Sequence, residues 1–421
     1  MPLLSRKTAF SRVTAIAARR AVHAAFAWMH NNPQTIMDWQ ARLVAIPAPP
    51  FGEAARGVAI AALFVEMGLQ QVETDSAGNV TALLPAAQLP AESSGPVVVL
   101  SAHLDTVFPA ATPIAPMVTR EDSVLRLLAP GACDNGAGLA GLLALAQALL
   151  HAQVELPVPL VLLANVGEEG EGDLRGVRRF YEASTYAGRV AAHLVLDGAG
   201  ADSAVTQALG SRRFQVTVTG PGGHSFTDAG TPNPIAALSA ALAAVTATPL
   251  PDEPRTTLNL GTIHGGTSVN SIPESVSASI DFRSTSPAEL VRLEVALHRA
   301  VEDAVDEANA QASPARSRGA LAFAIDRIGD RPAAHLPADS PLLEALRSVD
   351  RHLGLRTDIR LGSTDANIPL ARGIPALSLG AGGEGGGAHT VGEWYTDRDR
   401  ELGLRRVLLL LLTAAEWAAE Q

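Results

Sequence analysis

The sequence predicts an α/β protein built on a mostly parallel sheet, with a smaller α+β domain inserted into it. Three observations carry that prediction. Val97–Ala102, Leu160–Asn165 and His193–Leu196 are short, uninterrupted apolar runs, as expected for strands covered on both faces. The Ala/Leu-rich stretch Gly138–His151 has helical composition and lies between the first two, so strands alternate with helices. From Arg212 the style changes to alternation of apolar and polar residues, and after Arg331 the apolar-run style returns.

Taken in order, the first 30 residues place Arg6, Lys7, Arg12, Arg19 and Arg20 between apolar positions. They read as one leading helix over residues 1–30, lying on the domain rather than on a membrane. No uninterrupted apolar stretch follows these charges, so no secretory signal is expected. The first part of the larger domain runs over residues 1–211. Within 212–330, Phe214–Thr219, Leu258–His264, Ser275–Arg283 and Leu321–Arg327 alternate as half-buried strands do, with helices expected over Pro234–Thr246 and Pro287–Ala310. A strand–helix–strand–strand–helix–strand order suits a small α+β domain with one open sheet face. Residues 331–421 return to the larger domain, with a strand at Ala376–Leu379 and a helix over Arg400–Glu420. The apolar run Val407–Leu412 within that helix is too short to span a bilayer.

Composition narrows the function. The chain of 421 residues is 47% hydrophobic and 18% charged, which excludes a disordered protein, and its net charge of −11 argues against nucleic-acid binding. Lys7 is the only lysine, which disfavours Schiff-base chemistry and a Walker-type phosphate site. Cys133 is the only cysteine, so no internal disulfide forms, in keeping with a reducing, cytoplasmic location.

Acidic groups and histidines gather where the apolar strands end. His103 and Asp105 follow Val97–Ala102, Glu168 and Glu169 follow Leu160–Asn165, and Asp197 follows His193–Leu196. Asp134 lies in a turn-like Asp134-Asn135-Gly136, and His389 follows the glycines of Gly382–Gly387. In parallel sheets the carboxyl ends of strands are where ligands bind. His103 and Asp105, at i and i+2, point to one side of an extended chain, so the Asp105 carboxylate is placed to accept the second N–H of a metal-binding imidazole. Of the paired Glu168 and Glu169, one suits a metal and the other a general base. Each motif is weak alone; an HxD triplet or an EE pair usually marks a solvated surface. Mixed histidine and carboxylate donors without cysteines favour zinc, with cobalt or manganese able to substitute.

Together, His103-Leu104-Asp105-Thr106-Val107, Asp134-Asn135-Gly136, Glu168-Glu169-Gly170, Asp197 and His389 resemble the signature segments of the dizinc hydrolases that include peptidase T, glutamate carboxypeptidase, aminoacylase and succinyl-diaminopimelate desuccinylase. The resemblance spans the chain from about residue 35 to its end. It implies a zinc-exopeptidase catalytic domain with an inserted ferredoxin-like lid and dimerisation domain. It also implies two Zn2+ per chain: His103 and Asp197 on one, Glu169 and His389 on the other, Asp134 bridging. Asp105 would orient His103, Glu168 would be the general acid/base, and the Asp134–Asn135 peptide would be cis. Gly220-Pro221-Gly222-Gly223-His224-Ser225 resembles the lid segment whose histidine reaches a partner's site to stabilise an oxyanion. Asn270, in Gly265–Asn270, and Arg283, in Asp281-Phe282-Arg283, match the substrate-binding positions. Asp at position 197 resembles the peptidase T and dipeptidase-like members, which implies an exopeptidase on short peptides, and the lid domain's resemblance implies a homodimer. An N-acyl-amino-acid deacylase with the same machinery, and a metal-free scaffold relative, are the alternatives.

Overall fold

A computed structural model describes residues 8–86 and 94–421; Arg6 and Lys7 of the expected leading helix lie outside them. The described residues form two compact units, one within residues 1–208 and 335–421, the other residues 209–334.

The larger unit is organised by a sheet whose strands run, in spatial order, Gln70–Thr74, Val80–Leu84, Leu160–Asn165, Val97–His103, Val190–Leu196, Ala376–Leu379 and Ser203–Ala208, the last also pairing with Asp358–Gly362. The four from Leu160–Asn165 to Ala376–Leu379 are mutually parallel, and antiparallel pairs flank them. Every residue of Val97–His103 and Leu160–Asn165 is buried. At about 1.5–3 kcal/mol for each large apolar side chain removed from water, these strands anchor the unit. The helix Gly136–His151 packs on this sheet, and Arg400–Ala418 buries Leu404 and Val407–Leu412.

In place of one leading helix there are two, Ala9–Ala17 and Arg20–Asn31. The chain leaves helical geometry at Arg19 (φ −70°, ψ 135°), so each segment buries its own apolar face, Val13 and Ile16 in the first, Val22, Phe26 and Met29 in the second. Arg12 bonds Glu420 at 2.7 Å, which ties the first helix to the chain's last turn.

The larger unit also holds a second, small antiparallel sheet that the sequence pattern does not announce. It orders Glu384–Gly386, Trp394–Thr396, Val124–Leu128 and Met117–Glu121. Trp394–Thr396 pairs with Arg126–Leu128, and the Ala129 N–H donates to the Glu393 carbonyl at 3.0 Å. The loop carrying His389 is thereby fixed beside the loop carrying Asp134.

The smaller unit has the expected βαββαβ order, its strands arranged Thr256–Gly265, Ser275–Ser284, Gly210–Thr219 and Ala322–Arg331, all antiparallel. Pro234–Thr246 and Pro287–Ala310 cover one face around Phe214, Val216, Leu238, Ile280, Phe282 and Leu293. Its strands begin and end further out than the alternation suggested, at Gly210 and Arg331. Among the described residues no helix is long and apolar enough to cross a membrane.

Candidate metal centre

Parallel register sets the site. Leu160–Asn165, Val97–His103 and Val190–Leu196 are neighbours running the same way, so the residues that follow them emerge side by side. His103 ends the central strand and is 1% exposed. Asp197 begins just beyond its strand, its N–H bonded to the Leu379 carbonyl at 2.8 Å. Asp134 arrives from the loop before Gly136–His151, where Asn135 caps the helix through the Gly138 N–H and donates to the Leu196 carbonyl at 2.9 Å. The Asp134–Asn135 peptide is cis.

The donor atoms cluster. His103 Nε2 lies 3.1 Å from Asp134 Oδ1 and 3.8 Å from Asp197 Oδ1. On the other side, His389 Nε2 lies 3.2 Å from Asp134 Oδ2 and 3.3 Å from Glu169 Oε1. Ligands about 2.0–2.2 Å from a tetrahedral ion stand roughly 3.3–3.6 Å apart. The separations of 3.1–3.8 Å bracket that spacing, and the two oxygens of Asp134 face different triads. Glu169 Oε1 is buried and its close polar neighbour is His389 Nε2, as suits two ligands of one cation. Glu168, His103 and Glu169 also offer donor atoms within 4.8 Å of one another. The residues present fit a two-ion centre.

His103 Nδ1 lies 3.0 Å from the Asp105 main-chain carbonyl and 3.6 Å from the Asp105 carboxylate. The carbonyl is the nearer acceptor, the carboxylate stands beside it, and both leave Nε2 for a metal. The carboxylate is turned to the next strand's loop, accepting the Glu168 N–H at 3.0 Å and the Glu169 N–H at 2.8 Å. Asp105 thereby sets both glutamates as well as the histidine. Beneath it lies Arg56, fully buried, donating to the Leu104 carbonyl at 2.7 Å and the Ile46 carbonyl at 3.0 Å. Burial lowers the Arg56 pKa to about 10, against the pull of Asp105.

Charges in the cluster shift one another. Burial disfavours a charged His103, but Asp105, Asp134 and Asp197 outweigh it and hold its pKa well above the usual value. The bond to Asp134 raises His389 to about 9. Burial, with the nearby Asp134 charge, pushes Glu169 up to about 7. Asp134 is held below the usual carboxylate range: burial opposes this, and the two histidines overcome it. These are the protonation states that cations displace.

The three remaining sequence candidates lie in the smaller unit. Gly223-His224 pairs with Ser271-Ile272, and the Ser225 N–H donates to the Asn270 carbonyl at 3.0 Å, so His224 and Asn270 are neighbours. His224 Nδ1 accepts the N–H groups of Phe226 and Thr227 at 3.2 and 3.4 Å. That pattern assigns the neutral ring's proton to Nε2, a donor. The Asn270 Oδ1 accepts from Ser268 at 3.0 Å. Arg283 stands apart, next to the last residue of Ser275–Ser284, its Nε donating to Asp281 at 2.7 Å.

Sequence reasoning assigned no role to Arg56 or Glu393. The Glu393 carboxylate is buried and accepts three peptide N–H groups from the Asp134 loop. Its place four residues after a ligand candidate was the one available signal.

Comparison with known proteins is consistent with this geometry. Residues 99–413 match the profile of Peptidase family M20/M25/M40. A probable carboxypeptidase of Aspergillus clavatus is 29% identical over 272 residues, 60% of this chain and 58% of that relative, so the match spans little more than half of the curated protein. A tripeptidase of Staphylococcus aureus aligns at TM-score 0.69 and 22% identity, covering 93% of this chain and 99% of that one. An aminopeptidase PepT of Bacillus cereus aligns at TM-score 0.70 and 19% identity, covering 91% and 99%. At these identities the solved structures show a shared fold.

Proposed function

The chain belongs to peptidase family M20/M25/M40, whose members include dinuclear metal-binding peptidases, and from that premise we propose that it is a dizinc exopeptidase cleaving short peptides. The observation that carries this reading is the placement of Asp134, with one oxygen toward His103 and Asp197 and the other toward His389 and Glu169. His103 and Asp197 would hold one zinc, Glu169 and His389 the other, with Asp134 shared; cobalt or manganese could replace zinc. When bound, the ions supply Lewis acidity toward the scissile carbonyl and acidify water.

The side chains supply the rest. Glu168, held by its N–H on Asp105, accepts the proton of the attacking water and returns it to the amide nitrogen as the C–N bond breaks. Asp105 keeps His103 and both glutamates in register. His224, with its proton on Nε2, donates to the developing oxyanion. Asn270 binds the substrate beside it, and Arg283 grips a substrate carboxylate. In this reading His224 comes from the lid of a second copy. Support for a homodimer lies in Thr256–Gly265, an edge strand largely exposed along its length, with Ile263 56% exposed. A lone cysteine supports a cytoplasmic setting.

Zinc-loaded protein should hydrolyse di- and tripeptides in a panel that also contains N-acetyl and N-succinyl amino acids. Hydrolysis confined to the acylated members would replace the exopeptidase with a deacylase. No turnover of any member with zinc, cobalt or manganese would return the scaffold alternative.

A further inference from the structure

Glu393 has no place in the chemistry above, yet its carboxylate is fully buried against the loop that carries Asp134. Oε2 accepts the Gly131 N–H at 2.8 Å, and Oε1 accepts those of Cys133 and Asp134 at 2.7 and 2.6 Å. Hydrogen bonds to an ionised acceptor are about twice as strong as neutral ones, so three of them on one carboxylate fix the loop's curl firmly. Gly131, at φ +76°, allows that curl, and a Cβ there would stand 2.8 Å from Thr106. The same residue closes the other loop. The Glu393 N–H donates to the Thr390 carbonyl at 3.2 Å, one residue past His389, and its own carbonyl accepts from Ala129.

The ligand candidates therefore differ in what holds them. His103 ends a strand bonded on both sides, and Asp197 is tied to Leu379. Asp134 and His389 sit on loops that meet at Glu393. We propose that Glu393 is a positioning residue that aims Asp134 and His389 together, and so governs the affinity of the Asp134–Glu169–His389 half of the site more than the His103–Asp197 half. The proposal rests on the two-ion reading above.

Glu393→Gln keeps the side chain's size but turns an N–H donor toward peptide N–H groups that need an acceptor. The test is a competition titration of metal-stripped protein with zinc against a chromophoric chelator, which reads affinity without activity. Loss of an outer-shell partner typically weakens metal binding about 10–100-fold, and that loss is expected for one of the two zincs, with the other near its wild-type value. Two unchanged affinities would overturn the proposal alone; so would an equal fall in both, which would mark Glu393 as generally structural. A wild-type chain that takes up fewer than two zincs would overturn the two-ion reading and this proposal with it. Should the variant fail to fold, hydrogen exchange on metal-stripped wild-type protein decides: the Gly131, Cys133 and Asp134 amides are expected to be protected, and exchange at open-loop rates would overturn the proposal.

Discussion

The two units solve different problems with the same kinds of residue. In the larger one, His103, Asp105, Glu168 and Glu169 are buried and fixed by strand ends that register alone brings together. In the smaller one, His224 and Asn270 are exposed, and Arg283 is held by a neighbouring aspartate. A reacting centre needs rigid, desolvated groups, whereas groups that meet substrates of varied shape need access. On the proposed exopeptidase reading, the larger unit would set the chemistry and the smaller unit its efficiency and its choice of substrate.

Variants can break or sharpen that contrast. The largest effect is expected inside the larger unit: Glu168→Ala should lower kcat about 10²–10⁴-fold while zinc content, read by elemental analysis, stays at the wild-type value. Next comes His224→Ala, expected to lower kcat about 10²–10³-fold, again with zinc retained. Mixing it with Asp134→Ala protein should restore part of the activity if the lid serves a second copy; no recovery would confine His224 to its own chain. For Arg283→Ala the expectation moves to KM, about 10–100-fold higher on peptides with a free carboxylate, as loss of a charged hydrogen-bond partner implies. A kcat effect without a KM effect would remove Arg283 from substrate binding.

The smallest effect is a pH dependence confined to the larger unit. In metal-stripped protein the bond to Asp134 raises His389 to about 9, and burial beside Asp134 raises Glu169 to about 7. Both groups hold protons in the folded state that the unfolded chain releases at lower pH, ordinarily 4.5 for the glutamate and 6.5 for the histidine. Their stabilising contribution is complete below those ordinary values. It is lost as pH rises, through about 7 for Glu169 and about 9 for His389. Zinc needs both groups deprotonated, so its affinity moves the other way. The Tm gain on adding zinc should grow between about pH 6 and 9, and a flat gain would contradict these shifts.

Much of this was readable from the chain. The strands Val97–His103 and Leu160–Asn165 are legible because burial on both faces leaves them uniformly apolar, and the residues beyond them stand out against that background. The βαββαβ unit is legible from its alternation. The small sheet beside His389 is not: Glu384–Gly386 and Trp394–Thr396 are three residues each, too short for a period, and their partner Val124–Leu128 lies far back in the chain. The pairing of His103 with Asp105 follows from their spacing. Which oxygen accepts the proton depends on where the Glu168-Glu169 loop lies, and no local pattern encodes that. Glu393 escaped for the same reason, since its three partners lie some 260 residues away.

The most direct test of the two-ion centre is the zinc bound per chain in wild-type and Asp134→Ala protein, both stripped, reloaded and freed of excess metal. The expected result is two zincs in the wild type and fewer in the variant, with peptide hydrolysis following the full complement. Two zincs retained without the Asp134 carboxylate, or full hydrolysis by wild-type protein carrying none, would contradict the shared-carboxylate site.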